Sequence, residues 1–415
     1  MKISAVLFVS CLMAFPACFA QQMIANGLEQ GASAVPAQVS RATSDDISRE
    51  VVDATIARLP TAHDFGEWGY SRALFLLGDL NVYRRTHDPR YLTYAKAWAD
   101  LHVDDQGKLD HTSTSLDSIM PGSVLIELYQ ATGEEKYKRG ATNVYAAFKD
   151  YSRTSDGAFW HAENGKRDHQ LWLDGTYMAT PFIVRAGALL GQEQAADTEA
   201  AKQLLLYNKH LKDAHGPLYL HAYDESGTMS WANATTHQSS IKWGRSIGWY
   251  AMALVDVMDA LPSKPKDAEE QAQRKRLLAI IQELAHDLVQ VQDPATGLWF
   301  QVIDQPTVKG NFLETSSSSM FTYFLDISVK RGYIPASYHA AVEHGRQGVL
   351  SKVTTGADGR PHISDISEGT DVADLPYYLA RQRPVDDFHG LGAFLLMNEE
   401  VQFNQPAMQL KGFAH

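Results

Sequence analysis

The chain has 415 residues, of which 45% are hydrophobic and 21% charged, and its formal net charge is -12 at pH 7. This composition is typical of an ordinary globular protein. The acidic balance, without a basic cluster interleaved with aromatics, argues against a partner that presents nucleic acid phosphates. An anionic substrate must therefore be held by a few local cations.

The first 20 residues predict a secretory signal peptide. A basic start at Lys2 precedes an apolar stretch that ends in small residues before Gln21. The stretch is too short for a membrane span. We therefore expect an exported protein, either periplasmic or secreted, with a polar leader at residues 21–46 and one catalytic domain at residues 47–415.

The two cysteines of the chain, Cys11 and Cys18, both lie inside this predicted signal. Cleavage after Ala20 would leave no thiol for a disulfide, a metal or nucleophilic catalysis. Acylation of Cys18, which would make the protein a lipoprotein, is the weaker alternative. The residues before Cys18 match the usual lipidation motif poorly.

Helical periodicity dominates the rest of the chain. Apolar residues recur at helical spacing in segments 69–85, 91–101, 121–132, 136–151 and 246–261. In the last segment the pattern predicts one buried stripe that includes Ile247, Leu254 and Met258. Sustained alternation of period two is absent from the sequence, so strands should be few and short.

Two helix junctions resemble each other and indicate a repeated helical hairpin. They lie around Thr86 and Thr132, one hairpin length apart. Repeated hairpins predict either an open solenoid or a closed toroid. Later hairpins differ in length and carry distinct aromatic motifs, which an open solenoid with a tight consensus would not show. We therefore expect an all-α fold, an (α/α)6 barrel of about six hairpins.

Two aspartates, Asp117 and Asp174, each precede a helical run in an aromatic and small-residue context. Paired carboxylates among aromatics suit work on a sugar, because carboxylates move protons at glycosidic atoms while C–H faces stack on rings. The alternative is that both are helix N-caps, which accept backbone N–H bonds. Prolines at positions 121 and 181, interpreted as first-turn residues, favour defined helix starts beside a common cavity.

A third segment places Arg245 four residues before Trp249. That spacing predicts a guanidinium beside an indole on one helix face, which suits a substrate carboxylate. The alternative is a stabilising Arg–Trp contact. His161 and His221 stand among aromatics at loop-like boundaries, with a structural role as their alternative. Because the sequence lacks metal-ligand spacing, we expect no metal and no other cofactor.

Four motifs in this order carry a resemblance to a known family. They are WLDGTYM from Trp172, WGRSIGW from Trp243, GLWFQV from Gly297 and LETSSSSM from Leu313. The chain resembles the unsaturated rhamnogalacturonyl hydrolases of glycoside hydrolase family 105 from about Trp68 onward, over nearly the whole mature chain. The unsaturated glucuronyl hydrolases of family 88 share the fold and chemistry but fit these motifs less well.

The resemblance implies an (α/α)6 barrel that removes the 4,5-unsaturated uronic acid left by polysaccharide lyases. It implies that Asp174 protonates C4 and deprotonates the water that adds at C5, while Asp117 binds substrate hydroxyls. Vinyl ether hydration of this kind needs neither metal nor nucleotide. The implied substrate-binding residues are Tyr70, His161, Trp172, Met178, His221, Trp243, Arg245 and Trp249. His161 is the least matched, because the loop 163–169 is longer than the family pattern.

Two other functions are compatible with the residues. An ordinary inverting glycosidase could use Asp117 and Asp174 as base and acid on the same barrel. A helical solenoid could bind glycans without turnover, but its aromatic motifs should then recur in every hairpin. The sequence leaves open the sugar attached to the uronate, any sulfation preference and the oligomeric state.

Overall fold

The computed structural model describes residues 40–41 and 45–406, and the residues from 45 onward belong to one compact unit. The predicted signal peptide lies outside the described residues. The helices are α1 (Ile47–Arg58), α2 (Ala62–Phe65), α3 (Tyr70–Thr86), α4 (Pro89–His102), α5 (Leu116–Ile119), α6 (Gly122–Thr132), α7 (Glu135–Ala146), α8 (Gly175–Leu190), α9 (Glu193–Leu211), α10 (Gly244–Ala260), α11 (Ala268–Gln290), α12 (Thr315–Lys330), α13 (His339–Leu350), α14 (Leu375–Leu379) and α15 (Phe388–Phe403). The strands are β1 (Ser40–Arg41), β2 (Gln170–Trp172), β3 (Ala222–Asp224), β4 (Val353–Thr355) and β5 (Pro361–Ile363).

Six helices contact one another in a cyclic order. Helix α3 packs against α6, α6 against α8, α8 against α10, α10 against α12 and α12 against α15, and α15 returns to α3. Six further helices each pack against two of these: α4, α7, α9, α11, α13 and α1. We call the first set the inner helices and the second set the outer helices.

The two sets differ in how they are buried. Inner helix α10 is buried without interruption from Gly244 to Met258. The predicted single stripe was therefore too narrow, because neighbours surround this helix on several sides. Outer helix α7 buries Tyr137, Gly140, Ala141 and Val144, the three-and-four spacing of a one-sided helix.

Glycines allow two of the inner helices to approach closely. A Cβ on Gly78 of α3 would lie 2.6 Å from Leu395 Cβ of α15. A Cβ on Gly392 of α15 would lie 2.6 Å from the carbonyl carbon of Leu74. Both distances are shorter than carbon atoms tolerate, so neither position accepts a side chain without moving the helices apart.

The predicted helix positions are confirmed to within a few residues. Segments 69–85 and 246–261, for example, correspond to α3 and α10. Strands in the described part of the chain are few and none exceeds three residues, as expected. One detail was wrong: Pro181 lies inside α8 and not in its first turn.

The strands position parts of the site. Strand β2 pairs antiparallel with β3 in a register that sets Trp172 opposite Ala222. The backbone N–H of Leu173 donates to the carbonyl of His221 at 2.9 Å. This pairing brings the start of α8 beside His221 although the two are far apart in sequence. Strands β1, β4 and β5 form a separate small sheet.

Candidate active site

Asp174 and His221 face each other where β2 meets α8. His221 Nε2 lies 3.2 Å from Asp174 Oδ2, within ion-pair distance. Neither atom has a hydrogen bond of good geometry elsewhere in the part of the chain that the structure describes. Asp174 occupies the N-cap position of α8, but its side chain makes no capping hydrogen bond. Because the carboxylate does not cap the helix, it is available for proton transfer.

Asp117 forms a second aspartate–histidine pair, with His161. Its Oδ2 lies 3.4 Å from His161 Nε2 and 3.8 Å from Arg167 Nη1. The cap of α5 is Ser115, whose side chain accepts from the N–H of Ser118. The capping alternative is therefore wrong for Asp117, which lies inside the short helix with its carboxylate facing a histidine and an arginine.

The indole of Trp172 lies between the two aspartate–histidine pairs and contacts both histidines. The His161 ring stacks on it with centroids 4.7 Å apart and an interplanar angle of 8°. The His221 ring meets it edge-on with centroids 5.6 Å apart. A Cβ added to Gly175 would lie 2.7 Å from Leu116 Cδ1, so the chain neighbours of the two aspartates are in contact. Both aspartates therefore belong to one site.

The electrostatic surroundings favour an ionised Asp117. Burial alone would raise the pKa of this carboxyl, but the positive charges of His161, Arg167 and His389 outweigh burial, and the pKa is lowered. Burial, together with the charges of Asp117 and Asp174, raises the pKa of Tyr70 well above its ordinary value. Tyr70 therefore keeps its phenolic proton, and its contact with a substrate stays a prediction.

Arg245 lies at the site, but in a different arrangement from the one predicted. Its guanidinium carbon is 4.5 Å from the ring centroid of Trp243, whereas the spacing predicted a contact with Trp249. The prediction failed because Trp249 packs against Tyr177 and Tyr70, at centroid distances of 5.1 Å and 6.1 Å. Arg245 Nη1 donates to the carbonyl of Ser367, and its Nη2 donates to that of Glu368.

The remaining predicted residues divide between the site and the core. The ring centroids of Trp243 and His221 are 4.7 Å apart, so Trp243 packs against the histidine that faces Asp174. Met178 is completely buried within the hydrophobic core. The structure thus gives Met178 packing partners, and its contact with a substrate stays a prediction.

Sequence reasoning missed the segment between β5 and α15. Within it, Asp371 pairs with Arg167 at 2.6 Å, and Tyr378 contacts His221. His389, just after the segment, bonds to the carboxylate of Asp387. Local periodicity gave no signal for these residues, because the segment is mostly irregular and its partners lie far away in the chain.

The loop 163–169 presents Arg167 to the site through its own hydrogen bonds. Asp168 Oδ1 accepts from the N–H groups of Asn164 and Gly165, and Asn164 Oδ1 accepts from those of Lys166 and Arg167. These bonds fold the tip of the loop, and the N–H of Glu163, which donates to the carbonyl of Thr114, ties its start to the rest of the chain. The guanidinium carbon of Arg167 then lies 4.1 Å from the ring centroid of Trp172.

Within residues 45–406, no group of three or more His, Cys, Asp or Glu side chains is arranged to hold a metal ion. Among the helices that the structure describes, none is long and apolar enough to cross a membrane. A groove lined by Asp197, Leu261, Pro265 and Arg274 lies at α9 and α11, and it includes none of the predicted site residues.

Two carboxylates on either side of one indole, each paired with a histidine, are typical of a glycoside hydrolase site. Comparison with known proteins agrees. The family model described as Glycosyl Hydrolase Family 88 matches residues 47–404. A glycoside hydrolase from family 105 of C. acetobutylicum superposes with a TM-score of 0.79 at 33% identity, over 85% of this chain and 98% of that one. The chain therefore belongs to the glycoside hydrolases of families 88 and 105.

Two further relatives are more distant. The unsaturated rhamnogalacturonyl hydrolase YesR of Bacillus subtilis is 25% identical over 313 residues, which cover 74% of this chain and 80% of YesR. The unsaturated glucuronyl hydrolase of Bacillus sp. GL1 superposes with a TM-score of 0.61 at 13% identity, over 82% of this chain and 88% of that one. The second likeness shows a shared fold.

Proposed function

We propose that this enzyme removes a 4,5-unsaturated uronic acid from the non-reducing end of lyase-generated oligosaccharides by hydrating its vinyl ether. The observation that carries the proposal is the pair of aspartates, each with its own histidine, on either side of Trp172. Membership of the family and the similarity to YesR support the same reaction.

We propose further that the scaffold is an (α/α)6 barrel. The cyclic order of the six inner helices, each flanked by outer helices, supports this architecture. Site residues open several inner helices: Tyr70 begins α3, Asp174 precedes α8, Trp243 precedes α10 and Asp387 precedes α15. Helix N-termini carry partial positive charge, so their convergence favours an anionic uronate.

The two aspartates take different roles in this reaction. Asp174, in its protonated form, gives its proton to C4, and the developing oxocarbenium charge is stabilised by the ionised Asp117 nearby. Water then adds at C5 and returns a proton to Asp174. The resulting hemiketal opens by breaking the bond between C5 and the ring oxygen. This leaves a hemiacetal at C1, which releases the next sugar.

Arg245 is proposed to hold the uronate carboxylate. Each of its Nη atoms uses one hydrogen on a backbone carbonyl and keeps a second one. Those carbonyl bonds fix the guanidinium in place, which reduces the entropy lost when a carboxylate binds. A protein with a net charge of -12 depends on such a local cation to attract an anionic sugar.

The sugar attached to the uronate is proposed to be rhamnose, because YesR is named for rhamnogalacturonyl substrates. Export is proposed as well, because the first 20 residues combine a basic start, an apolar stretch and small residues before Gln21.

A matched pair of disaccharides tests the proposal. One carries an unsaturated uronate on rhamnose, and the other carries the saturated uronate in the same linkage. We expect release of free rhamnose from the unsaturated compound only, because hydration requires the double bond. Release from the saturated compound at a comparable rate would show an ordinary glycosidase and would reject the proposal.

A further inference from the structure

Tyr378 makes a buried hydrogen bond to the histidine that faces Asp174. Its Oη lies 2.6 Å from His221 Nδ1, and neither residue is accessible to solvent. The opposite ring nitrogen, Nε2, lies 3.2 Å from Asp174 Oδ2. The tyrosine, the histidine and the aspartate therefore form a continuous chain of polar contacts.

The surroundings of the tyrosine hydroxyl fix the direction of its proton. Among the described residues, the hydrogen bond of this buried hydroxyl is the one with His221 Nδ1, so that nitrogen is the acceptor available to its proton. Burial raises the pKa of Tyr378 well above its ordinary value, so the hydroxyl keeps its proton. That proton is donated to His221 Nδ1, and the imidazole then carries its own proton on Nε2, facing Asp174.

The opposite arrangement is unfavourable. With the proton on Nδ1, the Nε2 lone pair of His221 would face an oxygen of the ionised Asp174 at 3.2 Å, and two acceptors would oppose each other in a buried site. With the proton on Nε2, the histidine donates toward Asp174 when the carboxylate is ionised. The carboxylate is then held in one orientation between its proton transfers.

The surrounding structure holds Tyr378 in place. The amide of Gln301 donates to its backbone carbonyl at 2.7 Å, and Ser367 Oγ donates to the side-chain oxygen of Gln301 at 2.7 Å. Ser367 is also the residue whose carbonyl accepts from Arg245. The tyrosine therefore belongs to the framework that positions the predicted carboxylate-binding arginine.

We propose that Tyr378 is a positioning residue for the proton-transfer step, acting through the tautomer of His221 on Asp174. This inference rests on the proposed function for its kinetic consequence, but its structural part concerns the histidine alone. Tyr378 is not among the site residues predicted from the sequence.

The variant Tyr378→Phe removes the hydroxyl and keeps the ring. We expect kcat to fall about 10-fold or more while KM for an unsaturated disaccharide changes less than about 2-fold, because proton transfer is affected and substrate binding is not. The matched control is Tyr377→Phe. The Tyr377 hydroxyl accepts from Asp371 and Arg381 and does not contact His221. An equal loss of kcat in the control, or a loss confined to KM in Tyr378→Phe, would overturn the proposal.

A double-mutant cycle with His221→Gln separates positioning from general stability. If Tyr378 acts through the histidine, removing its hydroxyl should cost less than about 2-fold in kcat once His221 is gone. A full, additive loss in the His221→Gln background would contradict the proposal. The thermal unfolding midpoints of all variants identify any loss that comes from misfolding.

Nitrogen NMR of the imidazoles provides a readout that needs no activity. The His221 resonances are identified as those missing from His221→Gln. We expect the proton on Nε2 and not on Nδ1 in the wild type, and a mixture of the two positions in Tyr378→Phe. A wild-type ring protonated on Nδ1 would refute the inference even if Tyr378→Phe did not fold. Absence of turnover with the expected tautomer would instead count against the proposed function.

Discussion

At the scale of single residues, the two aspartates of the site differ in what surrounds them. Asp117 has two histidines and Arg167 nearby, and these charges lower its pKa. Asp174 has one histidine, which Tyr378 orients. An anion that stays ionised can stabilise positive charge, while the other carboxylate exchanges protons. We propose that this difference in environment gives the two chemically identical side chains separate roles.

Arg167→Gln should make the enzyme less active in acid. Loss of the guanidinium raises the pKa of Asp117, so its ionised form is lost at a higher pH as the solution is acidified. We divide kcat/KM at each pH by its maximum for the same protein. At about pH 4 we expect this ratio to be roughly two- to five-fold lower in the variant than in the wild type. The effect is limited because the ion pair is partly exposed to solvent. The measurement is a pH profile of kcat/KM.

The control for Arg167→Gln is Lys166→Gln. It removes the same charge from the same loop, and Lys166 makes no ion pair within the described residues. We expect its acidic limb to match that of the wild type. Equal displacement of both profiles would show a general charge effect and would remove Arg167 from this role.

Part of the site could be predicted from single residues. Asp117 and Asp174 stand out because each lies near a predicted helix start in an aromatic and small-residue context. Tyr378 could not be found, because it meets His221 across 157 residues of chain. The Arg167–Asp371 pair spans 204 residues and is equally invisible to local patterns. Contacts of this kind depend on the tertiary fold, which spacing along the chain does not encode.

At the scale of secondary-structure elements, the start of α12 illustrates how a motif can serve the site indirectly. Helix α12 begins at Thr315, and the four serines at positions 316–319 are all buried. Glu314, also buried, accepts from the N–H groups of Ser316 and Ser317 and from that of Ser367. One carboxylate thus caps α12 and anchors the segment that contacts Arg245.

Glu314→Ala should therefore destabilise the protein strongly. It removes a cap and leaves three buried N–H donors without their acceptor, at an expected cost of about 3 kcal/mol in the free energy of unfolding. The control is Asp267→Ala, which removes an exposed cap on outer helix α11 and should cost about 1 kcal/mol. Urea unfolding of both variants tests this. A smaller loss for Glu314→Ala than for Asp267→Ala would contradict the anchoring role.

Helix positions were predictable because apolar spacing is a local property, whereas the surroundings of each helix were not. The sequence of α10 predicts one apolar stripe, yet the helix is buried along its length because α8, α9, α11 and α12 all contact it. The Arg245–Trp249 prediction failed for a related reason. Residues four apart share a face, but the neighbouring helix decides which side chain each of them meets.

At the scale of the whole molecule, the cyclic order of helices encloses polar groups as well as apolar ones. Asp256 of α10 lies within this interior, where Tyr323 donates to its Oδ1 at 2.8 Å. Burial raises the pKa of Asp256 to about 8, against the hydrogen bond from Tyr323, which lowers it. The negative charges of Asp259 and Glu400 contribute to this raised pKa, and the positive charge of Arg185 opposes it. The repeated hairpins indicated a closed arrangement, but the sequence alone did not reveal an acid in its interior.

The stability of the protein should depend on pH through this residue. The folded pKa of Asp256 lies above its ordinary value of 3.8, so the folded state keeps a proton that the unfolded state loses. Its contribution to stability is fully present below that ordinary value and is lost as pH rises toward about 8. The expected slope is on the order of 1 kcal/mol per pH unit.

Asp256→Asn removes this titration while keeping an oxygen for Tyr323. We expect the variant to gain stability relative to the wild type as pH rises from about 4 to about 8. Urea unfolding of both proteins across this range measures the difference. A difference that does not change with pH would show that Asp256 is ionised in the folded protein.

The central claim is that Asp174 initiates hydration of an unsaturated uronate, and one measurement tests it most directly. Wild type and Asp174→Asn are incubated with an unsaturated disaccharide, and loss of the ultraviolet absorbance of the conjugated uronate is recorded beside release of the second sugar. We predict that both signals change together in the wild type and that both slow by roughly 10²-fold or more in the variant, because an amide cannot supply the proton. Release of the second sugar with the absorbance retained, or near wild-type turnover by Asp174→Asn, would contradict the account.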